Sequence, residues 1–471
     1  MGSSARPRAW LLATAIALLL ALDSCRRDPG DVLLITVDAL RPDHLGLYGY
    51  HRPTSRNLDR RLADAAVFLR AYSAAAQTAT GVPSLLSGRL PQEHGVRIIW
   101  QLLPEDTALI PDLLPPRYQT AAFVSNMVLT NEAMGLGERF DHYDDFVDER
   151  ESERVVFERN ARRTIDAAVR WLEEEWDRSR PLFLWVHLID PHGPYAPPAE
   201  WSPLFHLRSQ EALQQWLSEP DSPPELARVA AYMRLPGVTD GPAYVDRYDD
   251  EIAFADHHLE RLLRAYSDLA DQDKALIVLS ADHGESMMEH DRWFSHGHHV
   301  YEEIVRVPLV VRGPGVRPGA RDHLVSTIDI APTIFRFAGA TVPEDLRGID
   351  LRDRRSAADR SVFFEASTAR SQWRGELRGH RKWIVRLAKG SGKIEETWFF
   401  DLAQDPRELY PRPWSAAAGP PPLLLDLCSA DPAPGGLPEQ YRAGMRLSAP
   451  KIADRADARA LEALRSLGYV D

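Results

Sequence analysis

Short, continuous apolar runs alternate along the chain with longer stretches in which apolar residues recur at helical spacing. The runs at 32–37, 121–124, 182–188, 275–279 and 307–311 are bounded by turn-forming or charged residues. That pattern predicts strands buried on both faces. The stretches 158–175 and 248–266 carry the helical period, and the acidic face Tyr248-Asp-Asp-Glu-Ile252 reads as solvated. Strands alternating with helices predict an α/β fold, a mostly parallel sheet sandwiched by helices. After residue 349 the texture changes. Runs at 362–366, 383–387 and 397–401 predict a small antiparallel sheet, followed by a Pro-rich surface wrap over 411–438 and a terminal helix over 458–467. No internal repeat is visible.

Residues 1–25 have a different character. Arg6 and Arg8 precede an apolar run from Ala9 to Leu22 that is short for a membrane span, and Asp23-Ser24-Cys25 follows. This order predicts a signal peptide and an exported protein of the periplasm or cell envelope. Ser24 before Cys25 resembles a lipoprotein cleavage site with Cys25 as lipid anchor. Asp23 is unusual there, so plain cleavage and an uncleaved anchor stay open. The expected organisation is therefore a leader at 1–25, a catalytic-type domain at 26–349, and a C-terminal antiparallel-sheet subdomain with wrap and helix at 350–471.

The chain has 471 residues, 44% of them hydrophobic and 27% charged, which fits a globular protein with a large core. Its formal net charge of -13 argues against nucleic acid as a partner. With two cysteines, neither a disulfide framework nor a cysteine zinc site can be built.

Two of the expected strands end in acidic groups: 32–37 runs into Asp38, and 275–280 into Asp282-His283-Gly284-Glu285. Ligands bind at the carboxyl ends of strands in open α/β sheets, so the two segments can converge. Together they would offer oxygen and imidazole ligands to a metal. A third segment, from Gln77 and Thr78 to Pro91, places hydroxyls just before an apolar helical run. One hydroxyl then sits at a helix N-terminus, where free N–H groups favour an anionic substrate.

The stretches Asp31 to Tyr50, Ser84 to Val96, Asp190-Pro-His-Gly-Pro-Tyr195, Asp282-His-Gly-Glu285, His296 to Glu303 and Thr327 to Thr333, with the closing Leu467-Gly-Tyr469, appear in order. In these motifs the chain resembles the sulfatase family of the alkaline phosphatase superfamily, and the resemblance spans nearly all of the exported part. It implies that family's fold and a hydrolase or phosphotransferase acting on sulfate or phosphate esters.

The departures bear on the chemistry. Where family sulfatases carry the Cys or Ser that matures to formylglycine, this chain has Thr78, and the accompanying Pro and Arg positions hold Thr80 and Val82. Threonine cannot become formylglycine. Thr78 resembles the branch of phosphoethanolamine transferases, lipoteichoic acid synthases and phosphodiesterases, in which a metal-activated Thr attacks phosphorus. An unactivated alcohol is a weak nucleophile near neutral pH, which is why such chemistry needs a Lewis acid. Ala39 replaces a common second Asp, and His283 a common Asn. The resemblance therefore implies one divalent metal on Asp38, Thr78, Asp282 and His283. Fewer carboxylates and an added imidazole favour Zn²⁺ or Mn²⁺ over Ca²⁺ or Mg²⁺.

His192, His296 and His298 fall where family members hold the anionic ester or protonate the leaving group. His44 and His94 read as scaffold, and Asp329 as a helix cap. The expected reaction is cleavage of phosphate mono- or diesters through Thr78. Two alternatives stay open: a sulfuric ester hydrolase working without formylglycine, and an inactive exported binding lipoprotein. The expected partner is a phosphorylated or sulfated ester, such as an envelope glycan or lipid head group.

Overall fold

The computed structural model describes residues 30–147, 158–202, 204–205, 241–353, 360–367, 371–388 and 393–414, with single positions among 229–238 and 421–428. The expected leader with Cys25, most of the Pro-rich wrap and the terminal helix lie outside the described residues.

Eight strands form the central sheet: β1 (Val32–Val37), β2 (Ala66–Phe68), β3 (Gln119–Val124), β4 (His142–Asp144), β5 (Leu182–Leu188), β6 (Leu276–Ala281), β7 (Leu309–Arg312) and β8 (Gly319–Arg321). Their order is β8-β2-β7-β6-β1-β5-β3-β4. β1 pairs in parallel with β5 on one side and β6 on the other, which puts all three carboxyl ends at one edge. Only β7 runs antiparallel to its neighbours β6 and β2.

Alternation along β1 divides the core into two layers. Leu33, Ile35 and Val37 pack with Ile165, Ala168 and Leu172 of helix α2 (Ala161–Glu174) and with Ile252 and Leu259 of helix α3 (Gly241–Leu269). Val32 and Leu34 face the opposite layer, with Val82, Leu85 and Leu86 of helix α1 (Thr78–Ser87) and Ile334 and Phe335 of helix α4 (Ile330–Ala338). A parallel sheet buried in this way explains why its strands read as unbroken apolar runs.

The four-stranded antiparallel sheet comprises β9 (Ser361–Ser367), β10 (Ser371–Arg378), β11 (Arg381–Ala388) and β12 (Ile394–Asp401). Strand β10 escapes the hydrophobic pattern because its inward side chains include Gln372, Arg374 and Glu376, all buried. β9 braces the segment leading into α1: Glu365 N–H donates to the Ala74 carbonyl at 3.0 Å, and Ala76 N–H to that of Glu365 at 2.9 Å. Asp329 caps its own turn by accepting from Ser326 N–H at 2.8 Å, and it also receives the Arg360 guanidinium, tying the head of α4 to the start of β9.

The expected solvated face at 248–252 is a correction. Tyr248, Asp249, Asp250, Glu251 and Ile252 are all buried. Tyr248 OH donates to the Ala39 carbonyl at 2.7 Å and accepts from Arg41 N–H at 2.9 Å. Asp249 accepts from His44 Nδ1, Tyr50 OH and Arg52, each at 2.7 Å. These partners come from some 200 residues away in sequence, so no local charge pattern shows that the carboxylates are paired. The result is a clamp on the loop that follows Asp38.

Candidate active site

Asp38, Thr78, Asp282 and His283 converge at the carboxyl edge of the sheet. Asp38 follows β1 directly, and its N–H extends the ladder to the Leu188 carbonyl at 2.9 Å. The next residue, Ala39, has φ 54°, a left-handed conformation costly for a residue with a Cβ. It turns the chain away sharply and leaves the Asp38 carboxylate at the strand end. Thr78 is the first residue of α1, where Gln77 is the N-cap in extended conformation. Asp282 and His283 follow β6.

The contacts are short and buried. Thr78 Oγ1 is 3.1 Å from Asp38 Oδ2 and 3.2 Å from His283 Nε2. His283 Nε2 lies 3.3 Å from Asp38 Oδ1 and 3.6 Å from Asp282 Oδ2. Each of these side chains turns one atom outward by using another inward. Asp38 Oδ2 takes the Asn126 amide at 2.6 Å together with the Thr78 hydroxyl, while Oδ1 has no hydrogen-bond partner. Asp282 Oδ1 accepts the His283 N–H at 3.0 Å, and Oδ2 has no partner. His283 Nδ1 is 2.8 Å from the Gly284 carbonyl, an acceptor, so Nδ1 carries the proton and Nε2 presents a lone pair.

Asp38 Oδ1, Asp282 Oδ2 and His283 Nε2 thus point at one another. Asp38, Asp282 and His283 are the group whose ligand atoms lie within 4.8 Å of each other among the described residues. Orphaned buried oxygens beside an imidazole lone pair fit a divalent cation, with the Asn126 and Gly284 hydrogen bonds as orienting partners. Electrostatics agree. Burial opposes the Asp38 charge, but the imidazoles of His192, His187 and His283 outweigh it and hold the group well below the ordinary carboxylate range. Burial and then the Asp38 charge push Asp282 up. Two carboxylates this close repel, and a cation between them relieves that repulsion.

The histidines divide. His296 stacks on His283 with ring centroids 4.3 Å apart, and its Nδ1 meets Glu285 Oε1 at 3.2 Å. His192 lies edge-on to His296 at 4.9 Å; its Nδ1 donates to the Gly193 carbonyl at 2.7 Å, leaving Nε2 buried and without a partner. His298 is exposed and makes no hydrogen bond or ring contact to this group among the described residues. His44 and His94 sit in the framework, on Asp249 and on Ser84 Oγ at 2.9 Å.

Two polar side chains in this region, Asn126 and His187, are not singled out from sequence, and Glu285 is named within its motif without a role. Asn126 and His187 stand at or just beyond the ends of β3 and β5, the strand-end signal that singled out Asp38. A lone Asn or His there lacks a second acidic group nearby to draw attention to it.

Comparison with known proteins follows the same lines. The family model described as Sulfatase matches residues 30–340, and that described as N-sulphoglucosamine sulphohydrolase, C-terminal, matches residues 289–411. An arylsulfatase of Clostridium perfringens is 24% identical over 452 residues, covering 80% of this chain and 89% of the relative. Among solved structures, a protein in complex with its substrate D-glucosamine-2-N,6-O-disulfate superposes with a TM-score of 0.63 at 18% identity, covering 94% of this chain and 99% of the other. The phosphonate monoester hydrolase of Silicibacter pomeroyi superposes with a TM-score of 0.63 at 17% identity, covering 92% and 96%.

Proposed function

The chain belongs to the sulfatase family of the alkaline phosphatase superfamily, and from that membership we propose that it is a metal-dependent hydrolase or transferase of phosphate mono- and diesters, with Thr78 as nucleophile. The observation that carries this reading is the Thr78 hydroxyl at the head of α1, within hydrogen-bond reach of both Asp38 Oδ2 and His283 Nε2.

Asp38, Asp282 and His283 would hold the cation, with Thr78 alongside. Two carboxylates and an imidazole suit Zn²⁺ or Mn²⁺ better than Ca²⁺ or Mg²⁺. When bound, such an ion supplies Lewis acidity, lowering the pKa of a nearby hydroxyl and stabilising negative charge on an ester oxygen. The protein's own groups do the rest. Asp38 Oδ2 is the acceptor toward which the Thr78 O–H points, and the Asn126 amide keeps that oxygen in place. The N-terminal N–H groups of α1 favour an anionic ester beside Thr78. Glu285 accepts from His296 Nδ1, so that in the doubly protonated imidazolium it is the Nε2–H that is available to give a proton to the departing oxygen. His192, whose Nδ1–H is spent on the Gly193 carbonyl, gives an ester oxygen a hydrogen bond from Nε2 when that nitrogen also carries a proton.

A second reading, sulfate ester hydrolysis without formylglycine, is favoured by the similarity to an arylsulfatase along most of both chains. The fold shared with a protein solved with a disulfated glucosamine points the same way. Under either reading the substrate is an anionic ester, such as a sugar or lipid head group met outside the cytoplasm if residues 1–25 export the chain. Purified protein of known metal content, assayed on aryl phosphate mono- and diesters and on an aryl sulfate, separates the two. Metal-dependent phosphoester turnover lost in Thr78→Ala supports the first reading. Sulfate turnover that survives Thr78→Ala overturns it.

A further inference from the structure

His187 is fully buried, next to last in β5, and paired in register with Thr36 of β1. Its Nδ1 lies 2.8 Å from Thr36 Oγ1. The same hydroxyl oxygen accepts the indole N–H of Trp185 at 2.9 Å. An indole nitrogen only donates, so it cannot take the Thr36 hydrogen. Among the described residues the acceptor within reach of that hydrogen is His187 Nδ1. A hydroxyl that donates to Nδ1 leaves the ring proton on Nε2. Nε2 has no partner of its own and faces Asp38 Oδ2 at 3.7 Å.

We propose that His187 is a positioning residue of the centre. The chain Trp185 to Thr36 to His187 fixes the imidazole as its Nε2–H tautomer and aims that N–H at Oδ2 of Asp38. With Asn126 and Thr78 already on Oδ2, every donor near this carboxylate then lies on one oxygen. Oδ1 is left as the oxygen for a cation. Ordering of this kind is how groups behind the ligands tune a metal site, and its loss costs roughly ten- to a hundredfold in affinity. The inference rests on the reading of Asp38, Asp282 and His283 as a cation centre.

Long-range ¹H–¹⁵N spectra of the histidine-labelled protein test it, with the His187 signals assigned by their loss in His187→Gln. The expected result is a protonated Nε2 and a bare Nδ1, unchanged when Zn²⁺ is added. The Thr36→Val variant, nearly the same shape, loses that tautomer preference. Zn²⁺ binding weakens roughly ten- to a hundredfold in His187→Leu and largely recovers in His187→Gln, which retains an N–H donor. A proton on Nδ1 in the metal-free protein overturns the relay. An Nε2 that gives up its proton and takes a ligand shift with Zn²⁺ overturns the positioning role and makes His187 a ligand. Wild-type protein that binds neither Zn²⁺ nor Mn²⁺ removes the centre itself, a failure recognisable because the tautomer is read without metal.

Discussion

Gly81 of α1 lies so close to Asp282 that a Cβ on it would stand 2.9 Å from the Asp282 carbonyl oxygen. The helix headed by Thr78 and the chain at Asp282 therefore meet backbone to backbone, a contact that bears on how close Thr78 and Asp282 can sit. Gly81→Ala would force one of two backbones to shift, because no flexible side chain is available to yield. The expected result is a folded protein with kcat reduced by more than tenfold. Near-native circular dichroism together with native kcat would show that the contact does not matter.

Thr78→Ala is expected to lower turnover by at least three orders of magnitude while the protein still takes up metal, because Asp38, Asp282 and His283 remain. Thr78→Ser retains a hydroxyl and should keep measurable activity. Steady-state kinetics on the best aryl ester, with metal content measured in parallel, check both.

Removing the cation with a chelator should abolish activity, with restoration by Zn²⁺ or Mn²⁺ exceeding that by Ca²⁺ or Mg²⁺. Asp282→Asn removes the charge of the orphaned oxygen and should weaken Zn²⁺ binding by at least tenfold in calorimetry. Restoration by Ca²⁺ alone would contradict the assignment from the donor set.

Glu285 and His296 make a prediction that depends on the leaving group. Burial and repulsion from His283 push the His296 pKa down, and Glu285 opposes them. Glu285→Gln should make His296 a poorer carrier of a proton. Esters of alkyl alcohols, which need protonation to depart, should lose more rate than 4-nitrophenyl esters, which do not. Equal losses on both would assign Glu285 a purely structural part.

Stability should vary with pH through His290 and Glu303, which pair at 2.9 Å and hold the 289–295 segment ahead of His296. Burial opposes the His290 charge, but the hydrogen bond and charge of Glu303 raise it to about 9. Burial likewise opposes Glu303, yet His290 and His299 bring it down to about 2. The His290 contribution is complete below its unfolded pKa of about 6.5 and is lost as pH rises through 9. That of Glu303 is complete above about 4.5 and is lost as pH falls toward 2. Thermal melts of His290→Gln should therefore fall furthest below wild type between about pH 4.5 and 6.5, by about 3 kcal/mol at most. The gap should shrink by pH 9.5, and a gap constant from pH 5 to 9.5 would deny the ion pair.

Strand ends and helix heads were legible without coordinates, because a buried parallel strand must be apolar throughout and the first polar residue after it marks the edge where ligands bind. That logic picks out Asp38, Asp282 and His283; the hydroxyls ahead of an apolar run mark a helix head in the third segment, and Thr78 itself comes from the resemblance to the family motif. The C-terminal antiparallel sheet was legible in three of its strands. β10 was not, because its buried Arg374 and Glu376 look like surface charge until their partners are known.

Tertiary structure alone decided which polar groups are paired. Asp249 reads as solvent-facing until His44, Tyr50 and Arg52 are seen around it. His187 reads as one more residue of an apolar strand until Thr36 and Asp38 are seen on either side of it. Hydrophobic periodicity reports which face of an element is buried, since that is a property of neighbours along the chain. A hydrogen bond across strands joins residues 151 positions apart, as for Thr36 and His187. Only the fold determines that they meet, which oxygen of a carboxylate is spoken for and which is left free.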